Sequence, residues 1–255
     1  MFPDHFLDTN VLVGANIGWD RFRRSATEYL ERTDRENIIR HTSQRAFNEG
    51  LGVFAEIREI GGGYLEHLST YEFTTDCTQE DVRDHMLDCQ SDYEVTENLS
   101  ERQKKRLSDF IDDIYSQCKI LDRVREDSSN GISNFNSRVT LAIKKATSRL
   151  HKDVKTGRFR LYQKSKKPRR RVRYDEAARL KTNLSNIILD NPNDVELLID
   201  AHYLRNEYGI ANLCFVTFDK KHFFGEQDKN KLCIEGILKG IYVQHPSYKP
   251  PTQKD

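Results

Sequence analysis

The sequence predicts an α/β protein with a central parallel sheet and a long helical insertion. Two observations predict the sheet. Apolar runs at the two ends of the chain, around Phe6-Leu7 and over residues 213–218 (Leu-Cys-Phe-Val-Thr-Phe), carry no charge, as strands buried on both faces do. Helical periodicity alternates with them, the order that a parallel sheet with crossover helices requires. The third observation predicts the insertion: across residues 61–189 the alternation gives way to helical segments and then to a basic tract, with no internal repeats.

Each element has a local reason. Residues 5–12 read as the first strand. Residues 20–33 read as a helix with Phe22, Ala26, Tyr29 and Leu30 on one face. Residues 37–40 form a second short strand. Thr42-Ser43 then offers an N-cap for a helix carrying Ala46, Phe47, Gly50, Leu51, Phe54 and Ile57. In the insertion, residues 78–89 and 100–125 are helical. Ser100 with Gln103 has the capping-box pattern, and Leu107, Phe110, Ile114, Cys118 and Leu121 recur at helical spacing. Residues 127–136 have the composition of a loop, and 137–151 that of a helix. Pro168 makes the Lys-Lys-Pro-Arg-Arg-Arg of 166–171 a loop or hairpin. Asn193 and Glu196 repeat the capping-box pattern ahead of Leu197, Leu198, Ala201 and Leu204, and Gly209 closes that helix. A strand at 213–218, a short helix at 228–239 and a last strand at 241–243 complete the chain. The expected division is an α/β core from 1–60 and 190–246, an insertion over 61–189 and a tail over 247–255.

Composition excludes some functions. No stretch approaches the roughly 20 apolar residues of a membrane helix. Asp4, His5 and Asp8 interrupt the first residues, so a signal peptide is not expected and a cytoplasmic location is. The five cysteines form no CxxC pair and no zinc-finger spacing, which predicts free thiols. The net charge of +1 conceals an asymmetry: residues 144–181 hold 16 Lys/Arg against 3 Asp/Glu, and the rest of the chain has a net charge of −12. An acidic body with one basic segment points to a polyanionic partner.

The chemistry lies in the acids. Asp8 and Asp219 each end an apolar run, and in a parallel sheet ligands bind at strand carboxyl ends. Asp194 opens the helix before the strand of Asp219. It stands seven residues, two turns, before Ala201, in line with the Leu197–Ala201–Leu204 stripe. Glu49 lies beside the apolar face of Ala46, Phe47 and Leu51. Asp200 flanks the inward stripe of its helix, whereas Glu196 points away from it. Carboxylates grouped this way suggest a hard divalent cation. His202 and His222 adjoin these segments without metal-ligand spacing, so packing or surface roles are expected of them.

Taken together, Phe-Leu-Asp-Thr-Asn-Val-Leu-Val-Gly at the start, Asn48-Glu49, Asp194-Val-Glu-Leu-Leu-Ile-Asp-Ala and Phe-Val-Thr-Phe-Asp-Lys-Lys-His-Phe resemble a PIN domain, the family of metal-dependent ribonucleases that includes toxin nucleases and RNA-processing enzymes. The resemblance rests on Asp8-Thr9-Asn10 after a strand, Glu49 on the central helix, Asp194 with Ala201, and Thr217-x-Asp219. It covers a little under half the chain and is silent about the central segment. It implies a three-layer α/β/α fold and Mg²⁺ or Mn²⁺ as cofactor. It further implies hydrolysis of RNA phosphodiester bonds to 5′-phosphate and 3′-hydroxyl products. The expected catalytic acids are Asp8, Glu49, Asp194 and Asp219, with Asp200 as a further metal ligand and Asn10 and Thr217 in support.

The basic tract interleaves cations with Phe159, Tyr162 and Tyr174, and aromatics can stack on bases while cations hold phosphates. Arg158, Arg160, Tyr162, Lys166, Lys167, Arg169, Arg170, Arg171 and Arg173 are therefore the expected RNA contacts. Besides RNA, an antitoxin or RNA-processing protein and a second copy of the chain are expected partners. Two other readings stand beside this one: a non-catalytic RNA-binding or scaffold protein on the same core, and a nuclease directed at DNA.

Overall fold

A computed structural model describes residues 3–71, 77–117, 131–163, 172–188 and 191–247. It is α/β, with five strands in one all-parallel sheet of order β3-β2-β1-β4-β5 flanked by helices, a three-layer α/β/α arrangement. The strands are β1 (Asp4–Leu7), β2 (Ile39–Ser43), β3 (Arg160–Tyr162), β4 (Leu213–Val216) and β5 (Ile241–Gln244). The chain divides into two compact units. The first comprises Met1–Ala15, Arg24–Gly50 and His151–Asp255 and carries the sheet. The second comprises Asn16–Arg23 and Leu51–Leu150 and is helical.

In the sheet unit, β1 is shorter than expected. It ends at Leu7, and Val11 and Leu12 belong to helix α1 (Thr9–Asn16), where their N–H groups donate to the Asp8 carbonyl at 3.1 and 3.3 Å. A short apolar run suits a buried helix as well as a strand, so periodicity alone cannot separate them. Helix α2 (Arg23–Arg35) keeps its predicted face, with Ala26, Tyr29, Leu30 and Thr33 buried. Asn37, in a left-handed conformation (φ 53°), turns the chain after it, and this turn delays β2 to Ile39. Ser43 then caps α3 (Gln44–Glu56): its hydroxyl accepts the Ala46 N–H at 3.1 Å.

The largest departure is in the basic tract. Residues 160–162 form edge strand β3, Val172–Ser185 form helix α8, and both belong to the sheet unit, so the expected insertion boundary at 189 lies too far along the chain. The cause is apolar anchoring: Phe159 and Tyr162 are 0% and 2% exposed, and Leu180, Leu184 and Ile188 are buried too. Lys164, Lys166, Lys167, Arg169, Arg170 and Arg171 lie outside the described residues. So do the side chains of Arg173 and Tyr174, and the tail beyond 247.

Helix α9 (Pro192–Tyr208) is capped by Asn191, whose side-chain oxygen accepts the Asp194 N–H, with Pro192 in the first turn. The cap is thus two residues earlier than the Asn193–Glu196 pattern suggested, and Glu196 instead accepts from Lys181 at 2.7 Å. Gly209 (φ 65°) ends this helix as predicted. After β4 come α10 (Lys220–Phe223) and α11 (Lys229–Ile237). Phe6 of β1 stacks on Phe215 of β4, with ring centroids 5.6 Å apart, and Phe215 stacks in turn on Phe223 at 5.1 Å. All three rings are fully buried, each contributing roughly 1.5–3 kcal/mol of transfer free energy.

The helical unit holds α4 (Gly62–Leu68), α5 (Gln79–Thr96), α6 (Glu101–Gln117) and α7 (Gly131–Lys155) as far as Leu150, with a π-turn over Ile57–Gly61 before α4. The Ser100–Gln103 capping box is present, with Ser100 N–H donating to Gln103 at 3.0 Å. Thr78 and Asp81 form a second one ahead of α5. Leu107, Phe110 and Ile114 are buried as their spacing predicted; Cys118 and Leu121 are outside the described residues. Gly61 is required by packing, since a Cβ there would lie 2.8 Å from the Phe110 ring. Residues 131–136, expected in a loop, are the first turns of α7. Ile132 and Phe135 extend the Val139–Ile143–Ala146–Leu150 stripe, and its burial outweighs the turn-like composition. Among the described residues no disulfide joins Cys77, Cys89, Cys214 or Cys233, and no helix is long and apolar enough to cross a membrane.

Candidate metal centre

The sheet order creates the site. β1 is the central strand, and the chain leaves it toward β2 on one side while β4 pairs on the other. Such a reversal opens a crevice at the strand carboxyl ends. Leu7 pairs with Val216, so the residues that follow each strand, Asp8 and Thr217, emerge side by side.

Asp8 is 3% exposed and held from three directions. It accepts from the Thr9 N–H at 2.6 Å, from the Asn10 amide at 2.7 Å and from the Thr217 hydroxyl at 2.7 Å. Asn10 is itself fixed, because its side-chain oxygen accepts the Phe218 N–H at 3.0 Å and its amide also donates to Thr217 at 3.0 Å. Thr217 accepts the Asp219 N–H at 3.0 Å. Thr9 serves a second acid: its hydroxyl donates to Glu49 Oε2 at 3.0 Å. Asn10 and Thr217 thus stand where supporting residues were expected, and Thr9 adds to them.

Asp194 reaches the same place from the first turn of α9, with the Asn191 amide donating to its Oδ2 at 2.6 Å. An acid there is favoured by the helix dipole, by roughly 0.3–1 kcal/mol. Burial and neighbouring charge outweigh that effect. Its carboxyl is pushed up to about 8, first by burial and then by the charges of Asp8, Asp219 and Glu49. The Asp8 carboxyl is pushed up to about 7 by burial, with Glu49 and Asp219 adding to the rise and the Thr217 and Thr9 hydrogen bonds opposing it. Asp8, Glu49, Asp194 and Asp219 therefore share one electrostatic environment.

Asp200 departs from the expected set. It lies six residues beyond Asp194, about 9 Å along the helix, and faces the Arg45 guanidinium at 3.8 Å. A guanidinium already balances its charge, so a cation has less to gain from it.

His222 was expected in a packing or surface role, and the structure places it in the site. Its Nδ1 is 2.6 Å from Asp219 Oδ2 and 3.4 Å from Asp194 Oδ2. Asp194, Asp219 and His222 can each offer a ligand atom within 4.8 Å of the others. The sequence held one signal for it: an Asp that caps a helical turn brings the side chain three residues later back over the cap. His202 does stay apart, 3.5 Å from Glu176 and 3.0 Å from Asn206.

Of the expected RNA contacts, Arg158, Arg160 and Tyr162 are described, and each has other partners. Arg158 pairs with Asp34 at 3.0 Å and Asp153 at 3.6 Å. Arg160 lines a cavity of about 560 Å³ with Asp4, His41 and Tyr208, at the amino ends of the strands. Tyr162, expected to stack on a base, is buried and donates to Glu207 at 3.0 Å; Phe159 is equally inaccessible. Both rings are core anchors of the strand edge.

Fold and site thus define an α/β protein with a carboxylate-lined crevice at the switch point of a parallel sheet. No family model, curated protein or solved structure matches the chain.

Proposed function

We propose that the protein is a divalent-metal-dependent endoribonuclease of PIN-like type. The observation that carries this reading is the convergence of Asp8, Glu49, Asp194 and Asp219, close enough for their charges to raise one another. Among the described residues no lysine or arginine forms an ion pair with any of the four. Like charges held together without a lysine or arginine cost stability at neutral pH, and such arrangements cluster at functional sites. An oxygen-rich donor set of this kind fits Mg²⁺ or Mn²⁺.

Asp8, Asp194 and Asp219 would hold the cation, with Glu49 at its edge. A bound divalent cation supplies Lewis acidity at a phosphate oxygen and lowers the pKa of a coordinated water. The chain's own part is positional. The Thr9, Asn10 and Thr217 donors hold Asp8 in one orientation, Thr9 holds Glu49, and the Phe218 N–H keeps Asn10 from turning away. RNA as the substrate is supported by the family resemblance and by the 16 basic residues over 144–181.

The deciding experiment incubates single-stranded RNA and DNA of one sequence with the protein and Mn²⁺ or Mg²⁺. RNA cleavage that EDTA stops and that D8N and D219N abolish is the expected result. Equal cleavage by the parent and both variants would refute the assignment of the site. Preference for DNA would redirect the substrate, and salt-sensitive RNA binding without cleavage would make this a binding protein.

A further inference from the structure

We propose that His222 is a nitrogen ligand of the cation in this site and that it tilts the site toward Mn²⁺ over Mg²⁺. The inference rests on the metal-dependent reading above and specifies which ion serves it.

Geometry carries it. The Nδ1 atom lies between two carboxylates on different elements, Asp219 after β4 and Asp194 at the start of α9. The three ligand atoms fall within 4.8 Å of one another, a span that one ion with bonds of about 2.0–2.2 Å can draw together. The backbone beneath the ring is anchored on two sides. The His222 N–H donates to Asp219 Oδ1 at 3.0 Å, and the His222 carbonyl accepts from Asn230 at 3.0 Å. The next residue, Phe223, is fully buried against Phe215, so the one-turn helix cannot easily rotate. A surface histidine needs none of these constraints.

The ligand chemistry then selects the ion. Mg²⁺ binds oxygen and keeps several waters, whereas imidazole nitrogen favours first-row transition metals in the Irving–Williams order. Two carboxylate oxygens with one imidazole form a mixed set that an all-carboxylate site lacks. In the metal-free protein the short contact with Asp219 keeps the imidazole at the position where the ion would bind.

The test loads the full-length protein with Mn²⁺ and records its electron spin-echo modulation, with calorimetric titrations of Mn²⁺ and Mg²⁺ alongside. The expected results are a ¹⁴N coupling of a bound imidazole and Mn²⁺ affinity at least about tenfold above that for Mg²⁺. H222Q should lose the coupling and about tenfold in Mn²⁺ affinity, while its Mg²⁺ affinity changes less than about threefold. A parent spectrum with no ¹⁴N coupling overturns the ligand assignment without any variant. If H222Q binds Mn²⁺ like the parent while D219N does not, the metal site stands and the role of His222 falls. If the parent binds no Mn²⁺, or binds it indifferently to D219N, the reading of the site fails and the inference with it.

Discussion

The hydroxyl of Thr217 donates to Oδ2 of Asp8 at 2.7 Å, across 209 positions of sequence. The Thr217 hydroxyl oxygen in turn accepts the Asp219 N–H at 3.0 Å. One side chain therefore orients the acid after β1 and the backbone leading to the acid after β4.

This contact makes Thr217 a sensitive position. T217V should leave Asp8 with one donor fewer and raise its proton affinity further. We expect Mn²⁺ affinity near neutral pH to fall about tenfold and stability to fall by about 1 kcal/mol, as for loss of a buried hydrogen bond. T217S should retain both. Calorimetric titration and urea unfolding measure the two effects, and a T217V protein that binds Mn²⁺ as the parent does would contradict the orienting role.

Removing charge should separate stability from function. Because ionised Asp194 sits buried beside three other acids, D194N should stabilise the metal-free protein at pH 8, on the order of 2 kcal/mol. It should bind Mn²⁺ poorly. A D194N protein less stable than the parent at pH 8 without metal would show that the repulsion is already relieved in some other way.

The pH dependence follows with a definite sign. Asp8 and Asp194 are raised from 3.8 to about 7 and about 8, so between pH 4 and 8 the folded protein holds protons that the unfolded chain has lost. Their contribution to stability is complete below about pH 4 and is lost as pH rises through 7 to 8. Metal-free thermal unfolding should show this decline superimposed on the titration of other groups, and Mn²⁺ should reverse it. Binding at pH 6 should release about one to two protons. Titrations in buffers of different ionisation enthalpy would measure the release, and a value near zero would exclude Asp8 and Asp194 as ligands.

Tyr162 tests the basic edge. Its buried ring predicts that Y162F leaves RNA affinity unchanged and costs about 0.5–1.5 kcal/mol through the lost bond to Glu207. Replacing Lys166, Lys167, Arg169, Arg170 and Arg171 by Gln should instead weaken RNA binding and flatten its dependence on salt, by about 0.7 in slope for each phosphate contact removed. Filter binding across a salt series compares the two, and a large loss with Y162F would restore the stacking role.

The sequence by itself determined what is local. Unbroken apolar runs marked β1 and β4, Gly209 marked a helix end, and the acids at Asp8, Glu49, Asp194 and Asp219 were visible because each stands at the end of an element or beside an apolar stripe. Local patterns also set the limits of that reading. Val11 and Leu12 suited a strand or a buried helix equally, and residues 131–136 looked like a loop until their apolar members joined a longer stripe. Tertiary structure alone decided that β3 joins the sheet and buries Phe159 and Tyr162, that Asp200 faces Arg45, and that His222 turns back between Asp194 and Asp219. The physical reason is common to all three. Periodicity records whether a residue faces inward, but which charge or ring it meets there depends on strand order and helix placement, which are settled by contacts between residues far apart in the chain.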